Sequence, residues 1–143
     1  MHIGKKKVVI DTNIVISAMI SKEGKPARIL QLLFEKKIIN FITKEILEEI
    51  NGVLRRPLFR KYIDENYKQV MLENFVINSI LVDSKYNEKI IDEDESDNMF
   101  INCALTVGAD IISGDNHLLK LNEYQRIKIF SVNEFLDEIG LNH

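Results

Sequence analysis

The chain has 143 residues, with 19 Lys and Arg against 22 Asp and Glu, and its formal net charge is −3. This length predicts a single domain over residues 1–143 that can bury a core without disulfides or metals. A hydrophobic content of 45% argues against disorder, and one cysteine, Cys103, excludes an intramolecular disulfide and favours a cytoplasmic protein. No apolar run reaches the roughly 20 residues of a membrane span, and Asp11 and Asn13 interrupt the stretch nearest to a signal peptide.

Short apolar strands alternate with helices in chain order. Strands are predicted at residues 7–11, 38–42, 80–82, 110–113 and 127–130. Helices are predicted at residues 13–20, from residue 26, at residues 43–56, 58–79 and 97–107, and after residue 131. This alternation predicts an α/β fold with a parallel sheet covered by helices on both faces.

Several residues mark the ends of these helices. Asn13 and Thr43 are predicted N-caps, because their side-chain oxygens can accept from first-turn amides. Pro57 is expected to end the helix that Thr43 begins. Ser131 and Glu134 have the spacing of a capping box, which predicts the start of the last helix.

Two acidic residues stand at the carboxyl ends of predicted strands. Asp11 ends the first strand and Asp115 follows the fourth, each with a hydroxyl neighbour, Thr12 or Ser113, that can orient it. Parallel sheets bind ligands at the carboxyl ends of their strands, near the point where the strand order reverses. We therefore expect both carboxylates in one crevice; the alternative is that each only caps the helix after it.

Helix periodicity adds two further acids. With about 100° between successive residues, Glu49 lies at the edge of its helix's apolar stripe, whereas Glu45 and Glu48 face solvent. By the same measure Asp97 flanks the buried stripe of its helix, and Asp94 is placed to cap that helix or stay in solvent. Glu45 and Glu48 remain alternatives to Glu49.

Four carboxylates in one crevice would repel one another and raise one another's pKa, and a hard divalent cation relieves that repulsion. An all-oxygen site suits Mg²⁺ or Mn²⁺, which also bind substrate phosphates. Zinc is disfavoured, because His2, His117 and His143 lack ligand spacing and Cys103 lies on an apolar stripe. The predicted chemistry is metal-assisted in-line displacement at a phosphodiester.

The chain resembles the PIN-domain nucleases in the order and spacing of four motifs. These are VVIDTN at residues 8–13, Glu49 within a helix, DNMF at residues 97–100 and SGD at residues 113–115. The similarity extends from about residue 6 to residue 135. Among PIN proteins, the chain is most similar to the VapC-type toxin components of toxin–antitoxin pairs.

The resemblance implies a parallel five-stranded sheet between helices, dependence on Mg²⁺ or Mn²⁺, an RNA substrate, an antitoxin protein as partner and a homodimer. The family's metal-binding and catalytic acids correspond to Asp11, Glu49, Asp97 and Asp115. Its supporting polar residues correspond to Thr12, Asn13 and Ser113. Ser113 is a departure, because threonine is usual before the last Gly-Asp pair.

A basic cluster surrounds Pro57 and consists of Arg55, Arg56, Arg60 and Lys61. These side chains could contact RNA phosphates, or they could complement the dipole at a helix C-terminus. The aromatic residues Phe59, Tyr62, Tyr67 and Phe75 have helical spacing, which favours packing in the core or a dimer over base stacking.

Two other functions fit parts of the pattern. The first is a catalytically inactive PIN-fold module that binds RNA or a protein, which a broken acidic quartet would indicate. The second is a receiver-type phosphotransfer domain, which needs adjacent acids after the first strand and a lysine after the fifth; Asp11-Thr12 and Phe130-Ser131 stand there instead. The net charge does not exclude RNA, because residues 88–97 carry −5 and the remaining residues carry +2.

Overall fold

The computed structural model describes residues 5–87 and 95–141, except for the side chains of residues 95–97. In these ranges the strands are β1 (Lys6–Ile10), β2 (Ile38–Ile42), β3 (Ser79–Leu81), β4 (Asp110–Ile112), β5 (Glu123–Tyr124) and β6 (Ile127–Phe130). The helices are α1 (Thr12–Ile20), α2 (Lys25–Phe34), α3 (Lys44–Leu54), α4 (Pro57–Arg60), α5 (Glu65–Ile77), α6 (Glu95–Val107), α7 (Asn116–Leu121) and α8 (Val132–Glu138).

The strands form one sheet in the order β3-β2-β1-β4-β6-β5. Every pair from β3 to β6 is parallel, and β5 adds an antiparallel edge through a tight turn to β6. The α/β prediction is confirmed, with a short sixth strand beside the five predicted ones. Successive residues Val8, Val9 and Ile10 are all fully buried, so helices cover both faces of the sheet at its centre.

The strand order reverses between β1 and β4. From β1 the chain builds outward through β2 to β3, and from β4 it builds the other way to β6. Ile10 pairs with Ile112, and the Asp11 amide donates to the Ile112 carbonyl at 3.0 Å. The residues that follow these two strands therefore lie side by side, where α/β sheets bind ligands.

Two local predictions were wrong. Asp11, not Asn13, is the N-cap of α1, because its side chain accepts from the Ile14 amide. The helix predicted at residues 58–79 is two helices, since a turn precedes Asp64, whose side chain caps α5. Pro57 ends α3 as predicted, but it also begins α4. The Thr43 cap and the capping box before α8 are confirmed.

Candidate active site at the ends of β1 and β4

Ser113 joins the two acids that follow the central strands. Its hydroxyl is fully buried, donates to the Asp11 carboxylate and accepts from the Asp115 amide at 2.9 Å. The Asp115 carboxylate in turn accepts from the amides of His117 and Leu118 and so caps α7. Both acids therefore cap helices and also lie in one crevice. The two alternatives drawn from the sequence, a helix cap and a cleft carboxylate, are compatible.

Asp11 is a buried carboxylate, with a side chain only 2% exposed. Burial is the main reason why the pKa of Asp11 is raised from 3.8 to about 6, and the nearby Asp115 carboxylate raises it further. Hydrogen bonds from Ser113 and from the amides of Ile14 and Gly114 act in the opposite direction. The charged form of Asp11 thus lacks full compensation from the protein, and a cation would supply it.

Glu49 is held in the same crevice by a side chain of α1. The Thr12 hydroxyl donates to Oε2 of Glu49 at 2.6 Å, and the Thr12 side chain is almost fully buried. Glu49 is half-buried on α3, while Glu45 and Glu48 on the same helix are exposed. The structure therefore places Glu49, rather than its two neighbours, beside Asp11.

These residues line an open cleft of about 500 Å³. Its described lining consists of Asp11, Thr12, Asn13, Ile16, Glu49, Val53, Arg56, Phe59, Phe100 and Asp115. All four residues of the basic cluster are exposed, but within the described ranges Arg56 is the one basic residue of this lining, and Arg55, Arg60 and Lys61 lie outside it. Asp97 belongs to α6, but its side chain, like residue Asp94, lies outside the described residues, so its role stays a prediction.

The donor set of the cleft suits a hard cation. Asp11, Glu49 and Asp115 offer carboxylate oxygens, with no described histidine or cysteine in the lining. Among the described side chains, no three acidic, histidine or cysteine groups are gathered closely enough to form a metal site by themselves. A cation held here by these acids would offset the cost of burying the Asp11 charge.

Asn40 is a positioning residue that the sequence did not reveal. It is fully buried on β2, where its Oδ1 accepts from the Ile10 amide at 3.0 Å and its Nδ2 donates to the Ser79 hydroxyl at 2.9 Å. The Ser79 hydroxyl donates onward to the Phe75 carbonyl. The Asn40 side chain thereby replaces a backbone acceptor for the last residue of β1, next to Asp11.

Replacing Asn40 with alanine is expected to lower the free energy of unfolding by about 2 kcal/mol, because the buried Ile10 amide loses its acceptor. Urea denaturation followed by circular dichroism measures this change. Asn66→Ala, at an exposed position of α5, is the matched control and should unfold like the unaltered protein. Equal stability of the two variants would contradict the assigned role of Asn40.

Two sequence expectations concern residues outside the cleft. Cys103 is buried, and burial together with the Glu45 carboxylate raises the pKa of its thiol to about 12, so it is a packing residue. Phe75 is fully buried as expected, whereas Tyr62 is 61% exposed. Core packing therefore explains Phe75 and not Tyr62.

The architecture and the acidic cleft define a class of α/β protein with carboxylates at its topological switch point. Residues 7–117 match the family model described as PIN domain. The chain is also 41% identical over 143 residues to the uncharacterized protein MJ1680 of Methanocaldococcus jannaschii, with 94% of this chain and 92% of that protein covered.

Two solved structures share the fold. One is VapBC2 from Rickettsia felis bound to a DNA fragment from their promoter, with a TM-score of 0.58, 17% identity, and 87% of this chain and 98% of that chain covered. The other is PAE2754 from Pyrobaculum aerophilum, with a TM-score of 0.61, 12% identity, and 94% and 89% covered.

The chain belongs to the PIN domain family. This membership indicates a nuclease, and a divalent cation is the general requirement of that family. Within residues 5–87 and 95–141, no helix combines the length and hydropathy of a membrane span.

Proposed function

We propose that this protein is a ribonuclease that hydrolyses RNA phosphodiester bonds with Mg²⁺ or Mn²⁺ bound by Asp11, Glu49, Asp97 and Asp115. The observation that carries the proposal is the convergence of Asp11, Glu49 and Asp115 on one cleft at the switch point of the sheet. Family membership supports the nuclease class, and the all-oxygen donor set supports the choice of cation.

The side chains around the acids have distinct roles in this proposal. Ser113 fixes the separation of Asp11 and Asp115, and Thr12 fixes the rotamer of Glu49. Asn13 lies exposed in the lining, where its amide can hydrogen-bond a substrate oxygen. A divalent cation held by these acids would shield the phosphodiester charge and lower the pKa of a water. A carboxylate of the cleft could orient the attacking water and accept its proton.

The test compares two glutamates of α3. Labelled RNA is incubated in Mn²⁺ with the unaltered protein, Glu49→Gln and Glu48→Gln, and each reaction is repeated in EDTA. We expect Glu49→Gln to lower the cleavage rate at least about a hundredfold, because it removes one of the proposed cation ligands. Glu48→Gln, one residue away and exposed, should cleave at the unaltered rate.

Three results would go against the proposal. Cleavage that persists in EDTA would exclude the cation, and equal rates for the two variants would exclude Glu49. RNA binding without cleavage by the unaltered protein would favour the noncatalytic PIN module instead.

A cognate antitoxin and a homodimer are part of the same proposal. The fold likeness to VapBC2 supports an antitoxin partner. Exposed apolar side chains on α5 and β3, at Val70, Ile77, Ile80 and Leu81, support contact with a second copy. Light scattering should give twice the monomer mass if the protein is a homodimer. For the toxin role, expression of the protein in a bacterial host should arrest growth, and expression of Asp11→Asn should not. Growth equal in both strains would contradict the toxin role.

A further inference from the structure

We propose that Arg56 and Phe59 form a nucleotide-binding subsite beside the carboxylates, in which Arg56 binds a phosphate next to the cleaved one and Phe59 contacts the base. This inference rests on the proposed ribonuclease function. It separates Arg56 from the other three residues of the basic cluster, which the sequence could not rank.

The backbone holds Arg56 in a defined place at the rim of the cleft. Its amide donates to the Val53 carbonyl at 3.1 Å, and its carbonyl accepts from the Phe59 amide at 3.0 Å. Pro57, the first residue of α4, restricts the chain immediately after it. The turn between α3 and α4 therefore fixes the position of the Arg56 Cα atom at the rim of the cleft that Glu49 also lines.

Among the described residues, no acidic side chain forms an ion pair with Arg56, although Glu49 and Asp115 line the same cleft. The acids repel any phosphate that is not shielded by a cation. A guanidinium at the rim can bind such a phosphate with two parallel hydrogen bonds, which also fixes its orientation.

Next to Arg56 the cleft has an apolar wall, formed by Ile16, Val53, Phe59 and Phe100. Phe100 is buried, whereas Phe59 is half-buried, so part of its ring is open to a ligand. Such a wall favours a base or ribose over water, and stacking on an aromatic ring contributes about 1–3 kcal/mol per base. The cleft therefore has a group for each part of a nucleotide: the acids bind the cation that shields the cleaved phosphate, Arg56 binds the neighbouring phosphate, and the Phe59 ring contacts the base.

The chain provides a matched control at the adjacent residue. Arg55 has the same side chain and the same long-range charge and is exposed, as Arg56 is, but it lies outside the cleft lining in the described part. If the basic cluster acts only through diffuse attraction, Arg55 and Arg56 are equivalent. If Arg56 binds one phosphate, the loss of Arg56 weakens RNA binding and the loss of Arg55 does not.

The experiment measures binding of a fluorescently labelled, unstructured RNA by anisotropy, at several salt concentrations, with Asp11→Asn protein to prevent cleavage. Adding Arg56→Ala should weaken binding about fivefold to tenfold and reduce the salt slope by about one, as for the loss of one phosphate contact. Adding Arg55→Ala should change binding less than twofold. Adding Phe59→Leu, which keeps apolar volume but removes the ring, should weaken it about threefold. Melting temperatures establish that each variant is folded.

In protein that retains Asp11, Arg56→Ala should raise KM for RNA cleavage about fivefold to tenfold and leave kcat within about twofold, because it removes ground-state binding. Equal losses for Arg55→Ala and Arg56→Ala, or a Phe59→Leu protein that binds RNA as its parent does, would overturn the subsite. These results would leave RNA cleavage itself in place. RNA that stays uncleaved by the unaltered protein in Mn²⁺ would refute the ribonuclease function, and RNA binding that is equal in all four proteins would refute the subsite alone.

Discussion

Replacing Asp11 with asparagine is expected to reduce RNA cleavage in Mn²⁺ on the order of a thousandfold, or about 4 kcal/mol of transition-state stabilisation. Asp11 is the acid at the centre of the site: it follows β1, contacts Ser113 and lies beside Asp115. Asparagine preserves the size of the side chain and an oxygen that can accept from the Ile14 amide, so α1 keeps its cap. The loss would therefore reflect the missing charge.

The measurement is the single-turnover rate on labelled RNA, with Asp64→Asn as control. Asp64 also caps a helix through its side chain, but it is exposed at the start of α5. Asp64→Asn should cleave at the unaltered rate. Undiminished cleavage by Asp11→Asn would remove this carboxylate from the mechanism.

The second prediction is that the same substitution stabilises the metal-free protein. Because burial raises the pKa of Asp11 to about 6 in the folded state, folded protein holds this proton more tightly than unfolded protein does. The stabilisation that comes from protonated Asp11 is fully present below about pH 4 and is lost as the pH rises to about 6. At pH 7.5 Asp11→Asn should exceed the unaltered protein by up to about 3 kcal/mol in free energy of unfolding.

Urea denaturation in EDTA at pH 4 and pH 7.5 measures this difference, which should nearly vanish at the lower pH. Mn²⁺ at pH 7.5 should raise the melting temperature of the unaltered protein and leave that of Asp11→Asn unchanged, because the cation compensates the buried charge. Equal stability of the two proteins at pH 7.5 in EDTA would show that the Asp11 carboxylate is compensated by the protein alone.

Most of the fold follows from local sequence patterns. Strands at residues 38–42 and 127–130 were predicted to the residue, because short apolar runs between turn signals are sufficient to define them. The two-residue strand β5 was missed, since its pairing depends on β6 and on a turn in which Gln125 adopts a φ of 54°. The break between α4 and α5 was missed because apolar spacing continues across it.

The candidate site, too, was predicted in part from local patterns and in part not at all. Helix geometry singles out Glu49 because the apolar stripe of α3 decides which side of the helix is buried. The hydrogen bond from Thr12 to Glu49 spans 37 positions, and no local pattern predicts it. Asn40 interrupts an apolar strand, yet its partners Ile10 and Ser79 are 30 and 39 positions away. Long-range polar contacts are visible only after the strands are arranged in space.

The double use of Asp11 and Asp115 as helix caps and cleft acids has an evolutionary consequence. Asparagine or serine can take over the cap at either position at little cost, whereas alanine leaves first-turn amides without an acceptor and costs about 1 kcal/mol. A gene that escapes selection for activity can therefore lose these charges while its product still folds. Relatives that have become inactive are expected to carry asparagine or serine, rather than alanine, at the positions of Asp11 and Asp115, and a survey of such sequences can measure this bias.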